Sequence, residues 1–181
     1  THPNITGKYQ TRDISITIQE VKETIEKTGI GLFRFAGSTT PVSLSNRIAD
    51  ALLTEGLHIE YSMFIRAESK AQERLPELVE CYEKIIRSGL RAVFLGVEAA
   101  NNVVLSKIMD KGGSVEDMYF TVKAIKQASY NQKIHLDVGV SFIYPCPIPP
   151  DSGITHEQIL EENLHLLRKL KNENSKPDSV L

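Results

Sequence analysis

The stretch Ile134-His-Leu-Asp-Val-Gly-Val-Ser-Phe-Ile143 governs how the rest of the chain is read. His135, Asp137, Gly139 and Ser141 alternate with Ile134, Leu136, Val138, Val140 and Phe142. A two-residue period means a β-strand with one polar and one apolar face. Ile59 to Arg66 repeats the pattern: Glu60, Ser62 and Arg66 share a face with Phe64, opposite Ile59, Tyr61, Met63 and Ile65. Two more strands are predicted, Ile30 to Ala36 with Arg34 inside it and Ala92 to Val97 with Glu98 at its end.

Helical stripes fill the intervals. Ile14, Ile18, Val21 and Ile25 make a first helix that stops at Thr28-Gly29. Ser43 is placed to cap a second, bearing Leu44, Ile48, Ala51 and Leu52 and ending at Gly56. Leu75, Leu78, Val79, Tyr82, Ile85 and Ile86 form a third, closed by Gly89. A short helical piece, Val103 to Met109, leads to Gly112-Gly113. Ser114 with Asp117 then makes a capping box for a helix bearing Met118, Val122 and Ile125 that stops at Asn131. Thr155 with Gln158 opens the last helix, and Pro177-Asp-Ser-Val-Leu181 reads as a loop entering one more strand.

Helix, glycine and strand follow one another three times, at Gly29, Gly56 and Gly89. Parallel strands need such helical crossovers, so the fold class is α/β, a parallel sheet of βα units. In a doubly wound sheet both faces are covered and strands are apolar throughout. Here one face is polar, as a ligand-holding barrel or half-barrel requires. Four full strands and a fifth that is cut off fall short of eight. The expectation is a single domain over residues 1–181, part of an incomplete (β/α) TIM-like barrel.

The polar set admits a bland explanation, a sheet with one solvated face carrying structural ion pairs. Concentration of the charges on strands of one parallel sheet favours a cleft, in which Arg34 and Arg66 would pair with Glu60, Glu98 and Asp137 or with a zwitterionic ligand. His135 lies early in its strand, far from the C-terminal end where such sites form, and is read as structural.

Composition narrows the classes. The 181 residues carry 23 acids against 21 bases, a net charge of −2, with no basic stripe to engage nucleic acid. No apolar run approaches the roughly 18 residues that span a bilayer. Cys81 and Cys146 are far apart, which speaks against a disulfide framework and against a cysteine-rich metal site. Reduced thiols fit a cytoplasmic protein. The chain opens Thr-His-Pro-Asn without Met, as an excised segment would.

One resemblance covers nearly the whole chain in register. Val93-Phe-Leu-Gly-Val-Glu-Ala-Ala100 followed by Val104-Leu-Ser-Lys-Ile-Met-Asp-Lys-Gly112 resembles radical S-adenosylmethionine (SAM) enzymes, where a strand ending Gly-Val-Glu-Ser precedes a helix with a Leu-x-x-Met-x-Lys-Gly-like tail. Arg12 through Gly29 is similar to their first crossover helix, and Phe33-Arg-Phe-Ala-Gly-Ser38 to their second strand. Tyr61 through Ala67 is similar to the third strand with its terminal arginine, and Val140-Ser-Phe-Ile-Tyr-Pro145 to the fifth.

The resemblance implies a SAM site built from Gly37, Ser38, Ser62, Arg66, Glu98 and Ile143. Glu98 would bond the SAM ribose or amino group, and Arg66 its carboxylate. Ser62 would lie one inward step below, Ile143 would pack its backbone on the adenine, and Gly37 with Ser38 would line the methionine end. In the whole enzyme three thiolates hold a 4Fe-4S cluster that cleaves SAM to a 5′-deoxyadenosyl radical, typical of an Fe–S oxidoreductase. Cobalamin is a further cofactor of many relatives. The family's C-x-x-x-C-x-x-C signature is absent, and by position would precede Thr1, so the isolated chain is expected to hold no metal and to bind no iron–sulfur cluster. The Gly-Gly-Glu of the second strand is here Ala36-Gly37-Ser38, and the fifth-strand glycine is Pro145. Partners implied are SAM and an unidentified substrate, with neither nucleic acid nor membrane, and self-association through an open sheet edge. A metal-free lyase or aldolase using Glu98, Arg66 and Asp137 is the rival enzyme class, weakened by the lack of a lysine at a strand end. A non-enzymatic interaction module is the third reading.

Overall fold

A computed structural model describes residues 11–36 and 39–181, in which helices and strands alternate from end to end. In chain order these are α1 (Ile14–Thr28), β1 (Leu32–Phe35), α2 (Val42–Thr54), β2 (Glu60–Ile65), α3 (Leu75–Arg87) and β3 (Leu90–Glu98). There follow α4 (Asn102–Lys107), α5 (Val115–Gln132), β4 (Asp137–Phe142), α6 (His156–Asn172) and β5 (Ser179–Val180).

Short polar side chains start most helices by satisfying free N–H groups of the first turn. Asp13 accepts from the Ser15 N–H at 2.8 Å, Asn101 from those of Val103 and Val104 at 3.0 Å, and Thr155 from that of Gln158 at 3.2 Å. Ser114 and Asp117 form the reciprocal capping box. Two expectations are corrected. The second helix begins at Val42, before Ser43, and its N–H donates 3.1 Å to the carboxylate of Glu68, a partner 26 residues away. The helix expected to stop at Asn131 runs on to Gln132 and ends on Lys133 with φ 53°. The Asn131 amide instead donates 2.6 Å to Glu83 on α3.

The five strands pair in parallel in the order β1-β2-β3-β4-β5. Sequential order joined by right-handed crossovers puts the helices on one face of the sheet, where successive helices pack side by side, α1 on α2, α2 on α3, α3 on α5 and α5 on α6. A doubly wound sheet would reverse its strand order and carry helices on both faces. The fold is therefore an incomplete (β/α) barrel.

Burial follows the sequence period. Tyr61, Met63, Val93, Leu95, Val138 and Val140 are buried against Leu78, Tyr82, Ile85 and Ile86 of α3 and Met118, Val122 and Ile125 of α5. Each such side chain contributes about 1.5–3 kcal/mol by leaving water. Glu60, Ser62 and Phe64 turn to the other, open face.

Among the described residues, β1 pairs only with β2 and β5 only with β4. Leu32 on the first edge is 70% exposed and Val180 on the last 50%. An exposed parallel edge with apolar side chains templates pairing with another chain. The 181-residue chain is thus expected to self-associate as concentration rises. Sedimentation showing a monodisperse monomer at high concentration would contradict this. No described helix is long and apolar enough to cross a membrane.

Candidate functional site

The open face bears a cavity of about 340 Å³ where β2, β3 and β4 end. Its walls are Phe64, Ile65 and Arg66 from β2 and the residue after it, Phe94, Leu95, Gly96 and Glu98 from β3, and Gly139, Val140 and Ser141 from β4. Lys111, Thr39 and Leu181 complete the lining. Sites of parallel βα units form at these strand ends.

Register sets its aromatic part. Phe64 stands beside Phe94, and Phe94 beside Gly139. A Cβ on Gly139 would lie 2.8 Å from the Phe94 ring, so the glycine makes room for the aromatic. Arg34 spreads over both rings, its guanidinium carbon 4.8 Å from the Phe64 centroid and 5.7 Å from that of Phe94. Such a cation–π contact contributes about 0.5–2 kcal/mol.

The polar end is built around Glu98. The β3–β4 ladder slips between Gly96 and Glu98, and Glu98 takes a φ of 65°, uncommon for a residue with a side chain. Its carboxylate accepts from Lys111 Nζ at 2.9 Å, and the same ammonium donates to the Gly96 carbonyl. The loop after α4 brings Lys111 there. Its N–H bonds the Leu105 carbonyl at 3.0 Å, and Asp110 turns the chain with φ 46°. Beyond the loop, Asp117 anchors the start of α5 by accepting from the N–H groups of Ser114 at 2.9 Å and Ala71 at 3.1 Å. Burial pushes the Asp117 carboxyl up, but these donations and the Ser114 hydroxyl outweigh it and hold it below the usual range.

Arg66 and Glu98, singled out in the sequence, thus come from adjacent strands into one cavity. Ser62 is half-buried deeper in β2, in register with Arg34 and Ala92 and outside the lining. Ile143 is exposed and outside the lining too, though its N–H donates 2.8 Å to the Glu98 carbonyl. Gly37 and Ser38 lie outside the described residues.

The expected ion pairs are replaced. Glu60 pairs with Arg91 and Glu98 with Lys111, while Asp137 is hydrogen-bonded to His135 at 2.9 Å. Arg34, Ser62, Ala92 and Asp137 follow one another across four strands, so three spacings of about 4.8 Å keep Arg34 from Asp137. The Arg66 side chain has no hydrogen bond or ion pair among the described residues. Lys111 is the site residue that charge patterning overlooked, although it stands in the quoted Lys-Gly tail.

The two thiols do not suit an iron–sulfur cluster. Cys81 is part-buried on α3, and Cys146 is buried in a separate cluster with Ala99, Val104 and Ile159, where burial pushes its thiol up. The ligand atoms of His135, Asp137 and Asp178 lie within 4.8 Å of one another at the opposite end of the sheet. There Asp178 already has a cation, Lys126 at 2.6 Å.

No protein-family model matches the chain, and no curated protein matches it. Solved structures do. A radical S-adenosylmethionine methyltransferase, TsrM from Kitasatospora setae, with cobalamin and a 4Fe-4S cluster bound, superposes with a TM-score of 0.63 at 16% identity, over 88% of this chain and 30% of that one. The cobalamin-dependent S-adenosylmethionine radical enzyme OxsB with aqua-cobalamin bound gives 0.61 at 18% identity, over 89% of this chain and 23% of that one. The chain spans less than a third of either length. It therefore shares the fold of a part of those radical S-adenosylmethionine enzymes.

Proposed function

We propose that residues 1–181 are one barrel segment of a radical SAM enzyme and supply part of its SAM site. The observation that carries this reading is the meeting of Arg66 and Glu98, from adjacent strands, in one cavity at the strand ends. Arg66 would take the SAM carboxylate, a charge-assisted bond to a guanidinium without another partner among the described residues. Glu98 would accept from the ribose hydroxyls or the amino group. Ile143 would offer its backbone to the adenine, Ser62 would support the strand beneath, and Gly37 with Ser38 would face the methionine end. Cys81 and Cys146 stand apart, so thiolates for the 4Fe-4S cluster would have to come from elsewhere in the full-length enzyme. The cluster and SAM would supply the radical chemistry, and the residues here would bind and orient the cofactor.

Both structural neighbours are named as cobalamin-dependent or cobalamin-bound, and one as a methyltransferase. That supports cobalamin use and group transfer over the oxidoreductase reading. Lys111 supplies the strand-end lysine an aldolase would want. That nitrogen comes from the loop after α4, however, and is tied to Glu98 and the Gly96 carbonyl, so it would have to leave both to attack a substrate.

The test is SAM titrated into the chain and followed by amide NMR, which registers weak binding. Shifts are expected at Gly96, Glu98, Ser141 and Leu181 and should be lost in Arg66→Met. No shifts at millimolar SAM, or shifts confined to other surfaces, would overturn the proposal.

A further inference from the structure

We infer that Lys111 is a positioning residue, which brackets the Gly96 carbonyl and the Glu98 carboxylate and so fixes Glu98 at the rim of the cavity. The inference deepens the SAM reading and rests on it for the ligand, though not for the bracket itself.

Three features meet at this point. Glu98 adopts a left-handed backbone conformation, which a residue with a side chain rarely takes and which needs surrounding contacts to hold it. Lys111 provides them on both sides of the slipped register, bonding the carbonyl before the irregularity and the carboxylate after it. Gly96 leaves the space: a Cβ there would stand 3.2 Å from Lys111 Nζ and 3.3 Å from the Glu98 carboxyl carbon. A side chain at position 96 and the bracket compete for the same volume.

The bracket also sets the charge of the site. Among the described side chains of the lining, Lys111 and Arg66 bring two positive charges against the one carboxylate of Glu98. The pair is largely withdrawn from water, its side chains 20% and 26% exposed, so screening weakens it less than a surface pair. A carboxylate already matched by an ammonium favours neutral hydroxyl donors, because a second ammonium would face Lys111. Among the two groups open to Glu98, the bracket selects hydroxyls. The strand end is tied in as well, since the Glu98 carbonyl accepts the Ile143 N–H at 2.8 Å. Holding Glu98 therefore holds the start of the loop after β4.

Two readouts separate this inference from the SAM reading. Without ligand, amide exchange at Ile143 reports the bracket alone: Lys111→Met should speed it by about tenfold, and Lys111→Arg, which keeps charge and donors, should change it little. With SAM, Lys111→Met should weaken binding by about five- to tenfold and Glu98→Gln by at least as much, while the double variant should bind no worse than Glu98→Gln, because the lysine acts through the carboxylate. Unchanged Ile143 exchange in Lys111→Met would overturn the inference, as would additive losses in the double variant. Failure of the wild-type chain to bind SAM would overturn the SAM reading, and the exchange measurement would then decide the bracket by itself.

Discussion

Gly89→Ala is expected to destabilise the protein by about 3 kcal/mol or more, the strain of a forbidden backbone angle adding to a steric collision. Gly89 has a φ of 115°, and a Cβ there would penetrate the Ile59 carbonyl oxygen and lie 3.0 Å from its carbon. The obstacle is main chain leading into β2, so no side chain can rotate away. The neighbourhood is tight because Gly89 also accepts the Tyr61 N–H at 3.0 Å, starting the register between β2 and β3. In a chain of this size the loss corresponds to a fall of roughly 6–12 °C in melting temperature. Gly29→Ala is the control, with φ 70° and no atom within 4 Å of the added carbon. It should cost only about 1 kcal/mol. Thermal and denaturant unfolding of both variants check the difference, and equal losses would mean that β2 yields to the added methyl.

The second large effect concerns ligand and leaves folding nearly untouched. Glu98→Gln preserves side-chain shape while removing the charge that Lys111 and the proposed SAM both use. Losing a charge-assisted bond costs roughly 1.5–3 kcal/mol, about 10- to 150-fold in affinity. Calorimetric or NMR titration with SAM measures it, alongside the melting temperature. An unchanged affinity would remove Glu98 from the site, and a collapse in stability would mark it as structural.

What was legible in the amino acids was whatever depends on local periodicity. The two-residue alternation from Ile59 to Arg66 placed β2 and told its open face from its helix-facing one, while that from Ile134 to Ile143 located β4, which begins only at Asp137 and where Gly139 is buried and Ser141 and Phe142 are both half-buried. Glycines 29, 56 and 89 closed helices through positive φ, and the Ser114–Asp117 box opened one. Contacts spanning many residues were not legible. Glu68 reaches the N–H of Val42 from 26 residues away, so a serine next to the true start looked like the cap. Lys111 reaches Glu98 over a short helix and a turn, a route that no strand pattern encodes. Arg34 found aromatic faces where an acid was expected, because register set Ser62 beside it and Phe64 one step on. The roles of Arg66 and Glu98 came from resemblance, which named residues without saying what else would stand beside them.

The strand order has a consequence for how the chain is made. Each strand pairs with the one synthesised before it, and each crossover helix packs on its predecessor. An emerging βα unit can therefore dock on the finished part of the sheet as it leaves the ribosome, without waiting for residues still to be translated. A doubly wound sheet reverses direction midway and must hold one edge of its first strand open for a late arrival. Here, among the described strands, every addition is made to the newest edge and none to the outer edge of β1.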